Sequence, residues 1–206
     1  MAAEQSEMGS SPGGTSVLSD DEPARPQRAD ARRNYDRLVA AARVVFTIEG
    51  AGASMEAIAK EAGVGVGTLY RHFPKRIDIV EAVYREDVDE LVNITATLLN
   101  DLEPGLALDA WLEAFVRYAM GKKRFLNELH EAFEKNPDLK VASRERIEAS
   151  LNVVLTRAQA ADCVRDDLNA ADMMQLLGSM CMSATLTVDQ SERLLAMIKD
   201  GLRADE

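Results

Sequence analysis

The stretch SMEAIAKEAGVGVGTLYRHFPKR, residues 54–76, decides how the rest of the chain is read. Ser54 suits the cap of a short helix carrying Ile58, Ala59 and Ala62, and Glu56 stands in the first turn, where a negative charge favours the helix dipole. Gly63 follows Ala59 by four positions. A small residue where two helices approach, then a turn residue that tolerates positive φ, is what a helix-turn-helix requires. Ile58, Ala62, Val64 and Leu69 fall where the inner faces of the two helices and their turn would meet, and Gly65 to Phe73 forms the second helix. Alanine and glycine are common residues, so this spacing alone leaves DNA binding open.

Working outward, Tyr35, Leu38, Val39, Ala42, Val45 and Phe46 keep the rhythm of a helix with one buried face, ended by Gly50 and Gly52. After Pro74 an amphipathic helix extends to about Asn100, and Glu103-Pro104-Gly105 breaks it. Further helical patterns cover about 106–120, 122–134, 140–160, 168–183 and 190–203. No strand alternation appears, and the string GVGVG lacks both the preceding strand and the lysine of a phosphate loop. The fold class predicted is all-α with about nine helices. Residues 1–29 are read as a disordered tail, 30–78 as a helix-turn-helix domain and 79–206 as a further helical domain.

Composition narrows the function. Of the 206 residues 47% are hydrophobic and only 5% aromatic, a core of small and aliphatic side chains that suits packed helices. The net charge of −11 argues superficially against a nucleic-acid partner, but it is segregated: residues 30–80 carry +2, against −3 before them and −10 after. Arg25, Arg28, Arg32 and Arg33 can reach a phosphate or a minor groove, or are simply solvated. No apolar run is long enough to span a membrane and no signal-peptide order is present, so a cytoplasmic protein is expected. Cys163 and Cys181 lack metal-ligand spacing and are read as buried, unreactive thiols. His72 and His130 are far apart, and Glu128, His130, Glu131 and Glu134 do not form HExxH; no catalytic residue, metal or cofactor is assigned.

The whole string resembles the signature of the TetR family of regulators. The resemblance is carried by Ile58-Ala59, Ala62-Gly63-Val64, Gly67-Thr68-Leu69-Tyr70, His72-Phe73 and Lys75, with Ala41-Ala42 and Phe46 to Gly50 in the preceding helix. It implies a three-helix DNA-binding domain whose third helix enters the major groove of a double-stranded operator. By position, Val66 and Thr68 would touch base edges or a thymine methyl, and Tyr70, His72 and Lys75 would reach phosphates. Arg33, Ser54, Met55, Gly65, Gly67 and Arg71 complete the DNA-binding set. Tyr70 is alternatively a core residue with its hydroxyl at the rim, and His72 and Arg71 alternatively point to solvent. Gly65 stands where a serine or threonine usually caps, and Arg76 where an acidic residue is frequent, adding a phosphate contact.

The segment RLLAMIKDGLRA resembles the last helix of many members, and in that family the last two helices pair across a twofold axis. The implication is a homodimer on a near-palindromic operator, with residues 79–206 as a helical regulatory and dimerisation domain; the alternative is that these apolar faces belong to the monomer's own core. Trp111, Phe115, Tyr118, Phe125, Met173 and Met174 are candidates for the lining of an apolar effector pocket, with packed core as the alternative. The acidic surplus of that half would favour a cationic effector unless it is only solvated surface. The function expected is a sequence-specific transcriptional regulator, a repressor released by a small molecule of unspecified identity. A helical DNA-binding or protein-interaction module without effector is the alternative.

Overall fold

The computed structural model describes residues 24–203, without the side chains of 24–28 and 51. Nine α-helices form it: α1 (Ala24–Glu49), α2 (Met55–Glu61), α3 (Val66–His72), α4 (Arg76–Asp101), α5 (Pro104–Lys122), α6 (Leu126–Lys135), α7 (Pro137–Ala160), α8 (Ala170–Met182) and α9 (Val188–Leu202). Single 3-10 turns, Gly50–Gly52 and Lys123–Phe125, follow α1 and α5. Among the described residues there is no strand, only an isolated bridge between Val164 and Arg203.

Helix ends follow local chemistry. Ser54 accepts the Ala57 N–H at 3.0 Å, Thr187 accepts that of Gln190 at 3.2 Å, and Asn169 and Asp172 form a reciprocal box at the start of α8. Each such cap is worth about 1 kcal/mol. Pro104 and Pro137 open α5 and α7, so the first turns lie upstream of where the apolar rhythm begins. α1 likewise starts at Ala24 and takes the last residues of the stretch read as tail; alanine, arginine and glutamine favour helix, and Pro26 falls in the first turn, where it is tolerated. The first 23 residues of that tail, and the side chains of Arg25 and Arg28, lie outside the described residues.

α1 packs on α2 and α4, α2 on α3, and α4 continues onto α5, α6 and α7, with α8 and α9 closing against α5. One continuous apolar core results. Its N-terminal part holds Leu38, Val39, Phe46, Ile58 and Leu69, all at most 1% exposed, and its C-terminal part holds Leu108, Trp111, Leu112, Leu151 and Leu177. The position between residues 78 and 79 falls inside the first turn of α4, a helix that serves both halves. Cys181 is buried as expected, whereas Cys163 is exposed, because it lies in the turn after α7 and not on a packed helix face.

Candidate nucleic-acid interface

The turn between α2 and α3 is built around Gly63, at φ +62°. A Cβ there would sit 2.9 Å from Nη2 of Arg37, which donates to the carbonyls of Ala62 and Gly63. An arginine of α1 thus closes over the turn and satisfies the carbonyls at the end of α2. The N–H of Val64 donates to the Ala59 carbonyl at 3.0 Å, the bond that closes a helix end once a left-handed Gly63 turns the chain back. Gly65 then caps α3 in extended conformation without a side-chain bond, its carbonyl accepting from Thr68 at 2.9 Å and Leu69 at 3.2 Å.

Leu69 and Phe73, fully and almost fully buried, fix α3 to the core, and Phe73 lies 5.1 Å from the Tyr35 ring of α1. The opposite side of this short helix is free. Val66 is 39% exposed and Tyr70 43%, with Gly67 and Arg71 also exposed and Thr68 half-buried. Tyr70 is therefore not a core residue. His72 is half-buried, edge-on to Tyr35 at 6.4 Å. Lys75, exposed, stands immediately before α4, with its own N–H held by the Asp78 carboxylate at 2.8 Å. A protruding helix with an apolar contact, a hydroxyl, a guanidinium and a phenol, flanked by an ammonium, is chemically equipped to meet base edges and phosphates.

Other assigned positions sit differently. Met55 is only 7% exposed, because the first residue of α2 turns its apolar side chain into the core. Ser54 is exposed but its hydroxyl is engaged as the cap. Arg33 is exposed on α1 and paired with Asp30. Arg76, expected at a phosphate, turns inward: it donates to the Ala53 carbonyl, lies 5.2 Å over the Phe46 ring and pairs with Glu128 of α6 at 3.0 Å. A carbonyl, a ring face and a part-buried carboxylate, the last on a helix far along the chain, all lie on its inward side.

The helix-turn-helix domain, α1 included, meets the α5–α6 junction at further points. Arg124 donates to the Thr47 carbonyl, and the Phe46 and Phe125 rings lie 5.3 Å apart. Farther along α1, Arg43 bonds Asp87 at 2.7 Å and Glu90 at 2.8 Å on α4. Burial raises the Asp87 carboxyl to about 6 even with that guanidinium beside it.

A cavity of about 450 Å³ opens between α4, α5, α6, α7 and α8. Of the residues proposed to line it, Phe115, Tyr118 and Met174 do. Trp111, at 0% exposure, stacks on Phe115 with centroids 5.7 Å apart but does not reach the cavity. Met173 is core, and Phe125 is committed to Phe46. Reading apolar side chains alone missed Lys122, Lys123, Lys140 and Arg144, which also line it. Their signal was a concentration of cations inside the half of the chain that carries −10. Among the described residues no group of three or more His, Cys, Asp or Glu could hold a metal ion, and no helix is long and apolar enough to cross a membrane.

Residues 38–83 match the family "Bacterial regulatory proteins, tetR family", and residues 103–204 match "Transcriptional regulator SbtR-like, C-terminal domain". A solved TetR transcriptional regulator from Streptomyces coelicolor is 38% identical, over 84% of this chain and 99% of that one, with a TM-score of 0.73. The TetR transcription regulatory protein from Mycobacterium vanbaalenii is 37% identical over 87% of this chain and 100% of its own, with a TM-score of 0.67. Among curated relatives, an HTH-type transcriptional regulator of Staphylococcus aureus is 44% identical over 63 residues, 30% of this chain. The chain spans about a third (34%) of the length of the curated relatives it matches. With the signature string on an exposed, core-anchored α3 and both halves matched, the chain belongs to the TetR family of bacterial regulatory proteins.

Proposed function

We propose that the protein is a sequence-specific, DNA-binding transcriptional regulator, a repressor that leaves its operator when a small molecule occupies the regulatory half. The observation that carries this is α3: Leu69 and Phe73 anchor it while Val66, Gly67, Tyr70 and Arg71 face outward beside Lys75. Base readout is assigned to Val66, Thr68 and Arg71. Tyr70, His72 and Lys75 take phosphates, with Arg33 of α1 reaching an adjacent strand. Gly65 and Gly67 keep the approach to the duplex unobstructed, since a Cβ at either would meet no atom within 4 Å.

Two copies acting in the cytoplasm read a near-palindrome, joined through α8 and α9, where Leu176 is 50% and Met197 69% exposed. Residues 30–78 serve as the DNA-binding unit and 79–206 as the regulatory one. An effector releases DNA only if it favours the conformation that does not bind. The junction formed by Arg76–Glu128, Arg124–Thr47 and Phe46–Phe125 supports such coupling, because the 3-10 turn touches both the cavity and the end of α1, and α6 both the cavity and the start of α4. No reaction is assigned to the chain. A salt titration of the purified protein on DNA upstream of its own gene and on random DNA tests the reading. A clear preference for the upstream DNA is expected, and equal affinity across the titration overturns it.

A further inference from the structure

The cavity between α4 and α8 has an electrostatic character opposite to that of the half that contains it. Its walls are apolar where Phe115, Leu129, Phe133, Ile147 and Met174 line it, and its polar lining includes Lys122, Lys123, Lys140, Arg144 and His130 but, among the described residues, no carboxylate. These cations are not equally engaged. Lys123 donates to the carbonyls of Ser183 at 2.6 Å and Leu186 at 3.2 Å, Arg144 stands 4.0 Å from Glu148, and His130 lies 3.5 Å from Glu134.

Lys122 and Lys140 are different. Among the described residues neither makes a hydrogen bond or an ion pair; each is held by aromatic faces. The Lys122 ammonium lies 3.4 Å from the Tyr118 centroid and 5.2 Å from that of Tyr84, and the Lys140 ammonium lies 6.0 Å from that of Phe133. Tyr84 and Phe133 meet edge to face at 5.1 Å, so one aromatic pair carries an ammonium at each side. The carboxylate that acts most on Lys122, Asp87, is engaged with Arg43 and lines a neighbouring cleft. Burial holds the Lys122 amine down at about 7, with Asp87 pulling it partly back. A ring face attracts an ammonium without neutralising it, so among the described lining residues no anion offsets these two cations.

We propose that this cavity binds an amphipathic organic anion, its apolar body against Phe115, Phe133 and Met174 and its acidic head between Lys122 and Lys140. The volume, about 450 Å³, falls within the roughly 300–1,000 Å³ of small-molecule sites. The inference rests on reading α4–α8 as an effector-binding unit. It replaces the cationic effector that the acidic surplus of this half would favour, because that surplus lies outside the lining.

Calorimetric titration of the full chain near neutral pH tests it with decanoate and 2-naphthoate, each beside its alcohol, 1-decanol and 2-naphthalenemethanol, and with decylammonium. At least one anion is expected to bind about tenfold or more tightly than its alcohol, the scale of one charge-assisted hydrogen bond, with decylammonium weakest. Lys122→Gln and the more exposed Lys140→Gln should each reduce that preference severalfold while circular dichroism keeps the helical signal. Alcohols binding as tightly as acids, the ammonium binding best, no probe binding at all, or both folded variants keeping the full preference would each overturn the proposal. DNA binding by the same preparation separates the two readings: DNA bound with no anion preference sinks only this inference, and an anion bound without any DNA preference sinks only the regulator.

Discussion

Arg76, in the first turn of α4, bonds Glu128 of α6 at 3.0 Å, and the same guanidinium holds the Ala53 carbonyl at the entrance to α2. The two side chains are 28% and 17% exposed, so the pair is only partly screened by solvent. Glu128→Ala leaves the guanidinium with the Ala53 carbonyl and the Phe46 ring but without that carboxylate. A loss of about 1–2 kcal/mol is expected, between the values for exposed and for buried pairs. Urea unfolding measures it, and an unchanged midpoint would show that the pair adds nothing to stability.

Lys75 makes no ion pair among the described residues and stands beside α3. Lys75→Ala should weaken operator and random DNA alike and lower the salt slope of binding by about 1, as expected when a single phosphate is no longer neutralised. Fluorescence anisotropy at several salt concentrations reads both quantities. A selective weakening on the operator alone would assign Lys75 to base readout instead.

The glycines at 63 and 67 should respond in opposite directions. Gly63→Ala forces a side chain to φ +62° and displaces Arg37, costing about 1 kcal/mol, or about 2–4 °C in Tm. Gly67→Ala lies inside α3 in open space and should raise Tm through helix propensity while placing a methyl on the face assigned to DNA, weakening operator binding. Thermal melts and anisotropy on both variants check the pair. A Gly67→Ala protein with unchanged operator affinity would remove that face from the interface.

Lys122 should leave a mark on the pH dependence of stability. Its folded value of about 7 lies below the ordinary lysine value of 10.5, so between these limits the unfolded chain holds more protons. Its burial penalty is full below about pH 7 and is relieved as pH rises towards about 10. Asp87, at about 6 against an ordinary 3.8, works at lower pH, where stability falls as pH rises through that window. Tyr84 of α4, Tyr118 of α5 and Cys181 of α8 also face Lys122. From about pH 7 to pH 9 the wild type should gain stability relative to Lys122→Met in denaturant titrations. Parallel curves would mean that the amine is not buried in the folded protein.

The helix-turn-helix was readable because its determinants are local: Gly63, the Ser54 cap and the alternation that buries Leu69 under Tyr70 all act within a few residues. Where helices begin was less readable. Residues 24–34 and 137–139 show no sustained apolar stripe, yet propensity and a first-turn proline extend α1 and α7 through them. Arg76 could not be oriented from its neighbours, since Glu128 lies 52 positions away. The same holds for the cavity. Aromatic and methionine positions identified apolar helix faces, but which of them line the cavity depends on how five helices converge, and that placed Trp111 and Met173 in the core and Lys122 in the cavity lining.

Trp111 is the only tryptophan in the chain, and its indole lies face to face with Phe115, whose ring forms part of the cavity wall. One aromatic layer therefore separates the protein's single strong fluorophore from whatever enters. Burial shields its emission from water, and a ligand that moves the neighbouring ring is expected to change that emission, so tryptophan fluorescence offers a label-free readout of occupancy at the cavity.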